Sequence, residues 1–349
     1  MINNKQVKKN GHLPYETVHT EVGQDNILRV ENVRMYFPVT KGILKRKIAD
    51  VKAVDGISFA VKRGKTIGIV GESGSGKTTL GNCIMQNLKV TEGRIFFEGT
   101  DLTTLSTRDL RKIHKELQMI TQNPYASLDP RMKIGDSILE GVRLQGLAGS
   151  KKENSELVRT VMETVGLTSS HADRYPHEFS GGQRQRICIA RALALQPSFI
   201  ICDEVVSALD VSIQAQIVNL FVEIQEQMNL SYIFIGHDLS VVRYISDQIA
   251  VMYLGKIVEM TDSEELYQHS LHPYTQALIS AVPIPNPTRD RARERVLLEG
   301  EVPSPIHPPE GCRFCTRCRY ADRRCREEEP SLACVGNNHY VACHKAVSA

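Results

Sequence analysis

Apolar residues along this chain gather in short continuous runs separated by longer stretches of helical period, the pattern of strands buried on both faces of a sheet. Thr66-Ile67-Gly68-Ile69-Val70 is the plainest run, and Leu117 to Ile120, Phe199 to Cys202, Tyr232 to Ile235 and Ile249 to Tyr253 repeat it. Ile27 to Val30, Ile57 to Val61 and Arg94 to Phe97 read as further strands, the last closed by Glu98-Gly99. Helices are predicted over Lys77 to Leu88, over Thr107 to Glu116 behind a Ser106 cap, and over Val211 to Met228. From Pro124 to Gln196 the pattern is mainly helical, with Ser155 to Val165 its clearest amphipathic piece, so a helical subdomain is placed at about 124–196. Strands alternating with helices predict an α/β fold around a parallel sheet.

The ends and one insertion read differently. Residues 1–25 are polar and are expected as a loose tail; Lys41 to Lys52 is a basic insertion between the first two strands, expected as a solvated loop. Pro283, Pro285 and Pro287 mark a linker and Pro303 to Pro309 repeats the signal, dividing a main domain over 26–282 from a cysteine-rich extension over 283–349. With 349 residues, 41% hydrophobic and 24% charged, the chain has material for a substantial core. A net charge of +3 from 43 basic and 40 acidic residues gives no footing for nucleic acid. The first 25 residues lack a secretory apolar segment, and no apolar stretch approaches the roughly 18 residues of a membrane span. A cytosolic setting is expected, where thiols stay reduced and the nine cysteines are not a disulfide framework.

Chemistry concentrates in a few segments. Gly71-Glu72-Ser73-Gly74-Ser75-Gly76-Lys77-Thr78 follows the Thr66 run as a G-x-x-x-x-G-K-[ST] loop must follow its strand. Its backbone N–H groups, with Thr79 beyond them, are suited to wrap nucleotide phosphates. Lys77 reaches the terminal ones and the Thr78 hydroxyl holds Mg2+. The apolar strand at Phe199 ends in Asp203, placed to bind Mg2+, and Glu204, placed to polarise an attacking water as general base. Gln122 and His237 each follow a strand of the same predicted sheet. Ligands sit beyond the carboxyl ends of parallel strands, so Gln122 is assigned to Mg2+ and the water, and His237 to the γ-phosphate. Ser180-Gly181-Gly182-Gln183 is a second glycine-rich turn heading a helix, and it offers an anion another helix N-terminus.

In order and spacing, these segments together with Ser207-Ala208-Leu209-Asp210 resemble the nucleotide-binding subunits of ABC transporters, over roughly Ile27 to Ser280. The resemblance implies a P-loop ATPase fold with a RecA-like lobe and a helical subdomain. It also implies a dimer in which Ser180 to Gln183 and Asp210 of one subunit meet the ATP held by the phosphate loop of the other. Phe37 matches the place of an aromatic that stacks on adenine, with Tyr36 as the alternative. Gln122 to Arg131, Phe179 to Arg186, Ser207 to Gln216 and His272-Pro273-Tyr274-Thr275 are similar to the oligopeptide and dipeptide importer branch, in particular its second ATPase subunit, the F type. A paralogous ATPase, two membrane permeases and an extracytoplasmic solute-binding protein are thereby implied as partners, and the cytoplasmic face of the membrane as the place of work. Relatives also carry nickel, glutathione or opines. The chain departs from the pattern at Val205, where proline is usual, at Gly236 for serine, and at Thr121 for an aromatic. Rival readings of the same motifs are a soluble ABC ATPase and a redox or iron sensor built on the cassette.

Near the C-terminus Cys312, Cys315, Cys318, Cys325, Cys334 and Cys343 crowd together. The first three have ferredoxin-like spacing, while four thiolates equally make a tetrahedral zinc site. The family resemblance selects Cys312, Cys318, Cys325 and Cys343 for a 4Fe-4S cluster, with Cys315 as alternative ligand. Cys83, Cys188 and Cys202 are expected as buried apolar side chains.

Overall fold

The computed structural model describes residues 25–42, 46–282, 296 and 298–347. The tail expected over 1–25, Asp25 apart, and the linker expected at Pro283, Pro285 and Pro287 lie outside them. In chain order the elements are β1 (Asn26–Lys41), β2 (Arg46–Lys62), β3 (Thr66–Val70), α1 (Lys77–Ile84), β4 (Glu92–Phe97), β5 (Thr100–Asp101), α2 (Thr107–Ile113), β6 (Leu117–Ile120), α3 (Pro124–Ser127), α4 (Ile134–Leu144), α5 (Lys151–Thr164) and α6 (Gly181–Leu193). They continue as β7 (Phe199–Asp203), α7 (Val211–Met228), β8 (Ser231–Gly236), α8 (Leu239–Ile245), β9 (Gln248–Tyr253), β10 (Lys256–Asp262), α9 (Ser263–Gln268), α10 (Pro273–Ala281), α11 (Arg323–Glu327), β11 (Ala333–Gly336), β12 (His339–Val341) and α12 (His344–Val347).

An eight-stranded sheet in the order β11-β12-β10-β9-β3-β8-β7-β6 forms the spine. Strands β6, β7, β8, β3 and β9 run parallel, and every residue of β3, β7 and β8 is buried, as continuous apolar runs require. One face carries α6, α7, α8 and the helical subdomain. There Phe221 meets Tyr232 and Phe234 edge to face at 5.6 and 6.1 Å between ring centroids. The other face packs α1 and a four-stranded antiparallel sheet, β2-β1-β4-β5, through Leu28, Phe59, Leu80, Ile201 and Ile233. Each such fully buried side chain contributes about 1.5–3 kcal/mol. Cys83, Cys188 and Cys202 lie in these cores as small apolar groups.

The structure corrects three boundaries. The insertion at Lys41 to Lys52 is not a loose loop: β1 and β2 stay paired from Tyr36–Lys52 out to Lys41–Arg46. Arg46, Lys47 and Lys52 lie on β2, an edge strand, where repeated charge discourages further strand pairing. Helix α1 stops at Ile84, because Gln86 takes a left-handed φ of 56° and turns the chain. Helix α5 starts at Lys151, where Ser150 and Glu153 form a reciprocal capping box.

Register then decides function. Val70 pairs with Gly236, Asp203 with Ile235 and Ile120 with Cys202, so the carboxyl ends of β3, β8, β7 and β6 finish at one edge of the sheet. At the other side of the spine the C-terminal hairpin β11–β12 hydrogen-bonds onto β10. There His339 Nε2 lies 2.7 Å from the fully buried Glu259 carboxylate, which also accepts the N–H groups of Leu271 and His272.

Candidate functional site

The loop after β3 turns tightly enough that Gly76 sits at φ 103°, and a Cβ there would lie 2.1 Å from the Ala53 carbonyl oxygen. No side chain caps the start of α1. Its N–H groups are thus left open toward the loop, with the buried Ser75 hydroxyl beside them lacking any hydrogen-bond partner. Lys77 is buried and donates from Nζ to the carbonyls of Gly71 at 2.8 Å and Glu72 at 3.0 Å. Burial lowers its pKa, opposed by the carboxylates of Glu204, Asp203 and Glu72. An ammonium held only by two carbonyls inside an uncapped helix mouth fits a polyphosphate. Ser73 and Gly74 form the exposed lip of this loop and Thr79 continues into α1.

Across the sheet edge Thr78 Oγ1 donates to Asp203 Oδ1 at 3.0 Å, and burial raises the Asp203 pKa. Two hard oxygens side by side suit Mg2+. Glu204 follows in the left-handed region at φ 49°, an unusual place for a non-glycine residue. Its N–H donates to the Ile235 carbonyl at 2.9 Å, and Ser207 Oγ donates to its carbonyl at 2.9 Å, so the bend is held from both sides although Val205 replaces the usual proline. The Gln122 amide donates to Glu204 Oε2 at 2.8 Å and His237 Nδ1 lies 3.9 Å from the same oxygen. Gln122 therefore meets the Glu204 carboxylate in this structure, and its hydrogen bonds go to Glu204 and Ser207 rather than to the Thr78–Asp203 pair.

Ser180 to Gln183 lies apart from this cluster. Ser180 caps α6 by a capping box with Gln183, and a Cβ on Gly182 would come within 2.6 Å of Ile213. Among the described residues no hydrogen bond or ion pair joins this segment to the phosphate loop, and Ser180, Gln183 and Asp210 are exposed. Phe37 pairs with Val51 beside the stretch of β2 that walls the loop. Tyr36 is committed elsewhere, its hydroxyl donating to Asp55 at 2.5 Å.

Three contacts at the phosphate loop have no short-range signal in the chain. Glu72 N–H donates to the Tyr274 hydroxyl at 2.9 Å, and the Glu72 carboxylate takes both Nη1 and Nη2 of Arg317 at 2.8 and 3.2 Å. Their partners are 202 and 245 residues away. Only the His272-Pro273-Tyr274-Thr275 segment marked Tyr274 in advance.

The expected thiolate site is not assembled. Among the described residues no group of three or more His, Cys, Asp or Glu is placed to hold a metal ion. Burial pushes the Cys312 thiol up to about 12 and also raises Cys315, Cys318 and Cys325, Cys312 and Cys318 are raised further by neighbouring thiols, and both pack against the apolar core.

Residues 54–207 match the family model described as "ABC transporter", and residues 258–325 match "Oligopeptide/dipeptide transporter, C-terminal region". The chain is 52% identical over 326 residues to the oligopeptide transport ATP-binding protein AppF of Bacillus subtilis (strain 168), covering 93% of this chain and 99% of that one. It is 48% identical over 320 residues to a probable peptide ABC transporter ATP-binding protein of Sinorhizobium fredii, covering 92% and 90%. Among solved structures it is similar to the dimeric post-hydrolysis state of the ATP-binding cassette MJ0796 bound to ADP and Pi. That likeness has a TM-score of 0.60 at 25% identity, over 68% of this chain and 98% of that one. No helix of the described residues is long and apolar enough to cross a membrane.

Proposed function

The chain belongs to the ATP-binding subunits of ABC transporters, in the oligopeptide/dipeptide branch, and from that premise we propose that it hydrolyses ATP to energise uptake of peptides. It works at the cytoplasmic face of the membrane, paired with a paralogous ATPase beneath two permease subunits that receive cargo from an extracytoplasmic solute-binding protein. The observation that carries this reading is the convergence of Lys77, Thr78–Asp203 and Gln122–Glu204 at one sheet edge.

Lys77 leaves the loop carbonyls for the terminal phosphates. Thr78 and Asp203 would hold Mg2+, which when bound would neutralise charge on the phosphate oxygens. Glu204 takes the proton of the attacking water, with Gln122 fixing the orientation of its carboxylate and His237 reaching the γ-phosphate. Phe37 supports the adenine. Ser180 to Gln183 and Asp210 serve the partner subunit's nucleotide, and the partner's equivalent segment serves this one. Among the described residues no ligand group is gathered for the 4Fe-4S cluster that the resemblance implies or for the zinc that four thiolates would equally suit, and iron and zinc analysis of the purified chain decides whether those thiols bind metal.

The reading is tested by reconstituting the chain with its permeases and the paralogous ATPase and measuring hydrolysis as solutes are added. Acceleration by short peptides is expected; acceleration only by a nickel chelate, glutathione or an opine would move the cargo assignment. ATP hydrolysis unaffected by any permease would overturn the transport role.

A further inference from the structure

Lys77 has a consequence for the loop that holds it. While it bonds the Gly71 and Glu72 carbonyls, it also keeps the front of the phosphate loop in shape. On turning toward a phosphate it releases those carbonyls, and Glu72 keeps the Ser75 N–H on its carbonyl at 3.2 Å, the Tyr274 hydroxyl on its N–H and Arg317 on its carboxylate, the last two from outside the loop. Arg317 belongs to the cysteine-rich extension, between Cys315 and Cys318. Its N–H donates to the Phe314 carbonyl at 3.0 Å, and Phe314 is buried against Tyr253, Tyr274 and His272. The guanidinium side chain is only 8% exposed and is two-pronged on Glu72, with Nη1 also 3.5 Å from the Tyr253 hydroxyl. A fork on a rigid turn fixes position as well as charge. The extension grips the loop's other wall as well: Arg313 pairs with Asp55, and the Pro305 carbonyl accepts the Lys52 N–H at 3.2 Å, both on β2.

We infer that Arg317 is a positioning residue for the nucleotide site, holding Glu72 so that the phosphate loop keeps its shape when Lys77 engages ATP. The folded state of the cysteine-rich extension thereby sets ATP affinity. This rests on the ATP-binding reading above.

The test measures Mg-ATP affinity of the full chain for Arg317→Met, Arg317→Lys, Glu72→Gln and the double variant Arg317→Met/Glu72→Gln. Arg317→Met should weaken binding about tenfold, the equivalent of about 1.4 kcal/mol. Arg317→Lys, which keeps the charge and loses the fork, should recover part of it. Because the two residues act through one contact, the double variant should be no worse than the weaker single one. Unchanged affinity in Arg317→Met, or losses that add in the double variant, would overturn the inference, as would a lowered melting temperature with affinity intact. Should Arg317→Met fail to fold, Glu72→Gln carries the test alone, at a residue on the outer side of the pair. If wild type itself fails to bind Mg-ATP and Lys77→Ala makes no difference, it is the ATP-binding reading that has failed.

Discussion

The two glycine-rich segments of this chain each start a helix and end in opposite situations. Gly71 to Thr78 is completed within the molecule: Lys77 is buried, Thr78 is bonded to Asp203 at the end of β7, across β8 from β3, and Glu72 is gripped by Tyr274 and Arg317 from the far end of the chain. Ser180 to Gln183 satisfies its own first turn through a local capping box and presents the rest to solvent. A helix start that needs its own chain's remote residues is a finished half-site. One that closes locally and stays exposed is a surface left open, and in the function proposed above its occupant is the nucleotide of a second subunit.

Glu204→Gln breaks the first half-site most severely, since general base catalysis contributes roughly 10²–10⁴-fold. Turnover should fall by that order while Mg-ATP binding survives, checked by steady-state hydrolysis beside equilibrium binding; wild-type turnover would remove Glu204 from its assigned role. Lys77→Ala should weaken binding by about ten- to a hundredfold, as loss of charged hydrogen bonds worth about 1.5–3 kcal/mol implies. Ser180→Ala sharpens the contrast, because losing the cap costs about 1 kcal/mol at α6 alone. ATP should bind the isolated chain with unchanged affinity, while hydrolysis by the assembled dimer falls severalfold. Weaker binding to the isolated chain would show that the two segments are not separate.

The smallest effect concerns acid. His272 sits under Phe314 and is held neutral by burial, with its pKa lowered from 6.5 to about 4 despite the nearby Glu259. A lowered folded-state value means that the unfolded chain takes the proton first. Stability from this group is therefore full above pH 6.5 and is lost as pH falls toward 4, by at most about 1.4 kcal/mol per pH unit. His272→Asn should flatten that part of a melting-temperature profile. Equal slopes in both proteins would dismiss the role.

Much of the first half-site was legible along the chain because its parts lie next to strand ends. Lys77 and Thr78 follow β3, Asp203 and Glu204 end or follow β7, His237 follows β8 and Gln122 follows β6, and a parallel sheet delivers all four ends to one edge. Glu72 stood inside the motif as an unremarked position, since its partners are remote. The Lys41–Lys52 hairpin was misread because charge suggests solvent, while a sheet edge is solvent-facing too. The thiol cluster was expected from spacing and resemblance, and neither says whether the fold gathers the sulfurs into one ligand group, which among the described residues it does not.

By itself the sequence determined the class of chemistry: the periodicity points to a parallel sheet, the loop after Thr66–Val70 suits a phosphate, and the Asp203–Glu204 pair that ends the Phe199 run supplies carboxylates for a metal ion and a water. Those are local consequences of backbone geometry and charge. Only the tertiary structure decided that Gln122 rests on Glu204, that Glu204 is held in a left-handed bend by Ile235 and Ser207, and that the cysteine-rich extension reaches back to the phosphate loop through Arg317. Apart from the bond to Ser207, three residues on, these contacts join residues from different strands, helices and the far end of the chain, and nothing short of the packed core sets the distance between them.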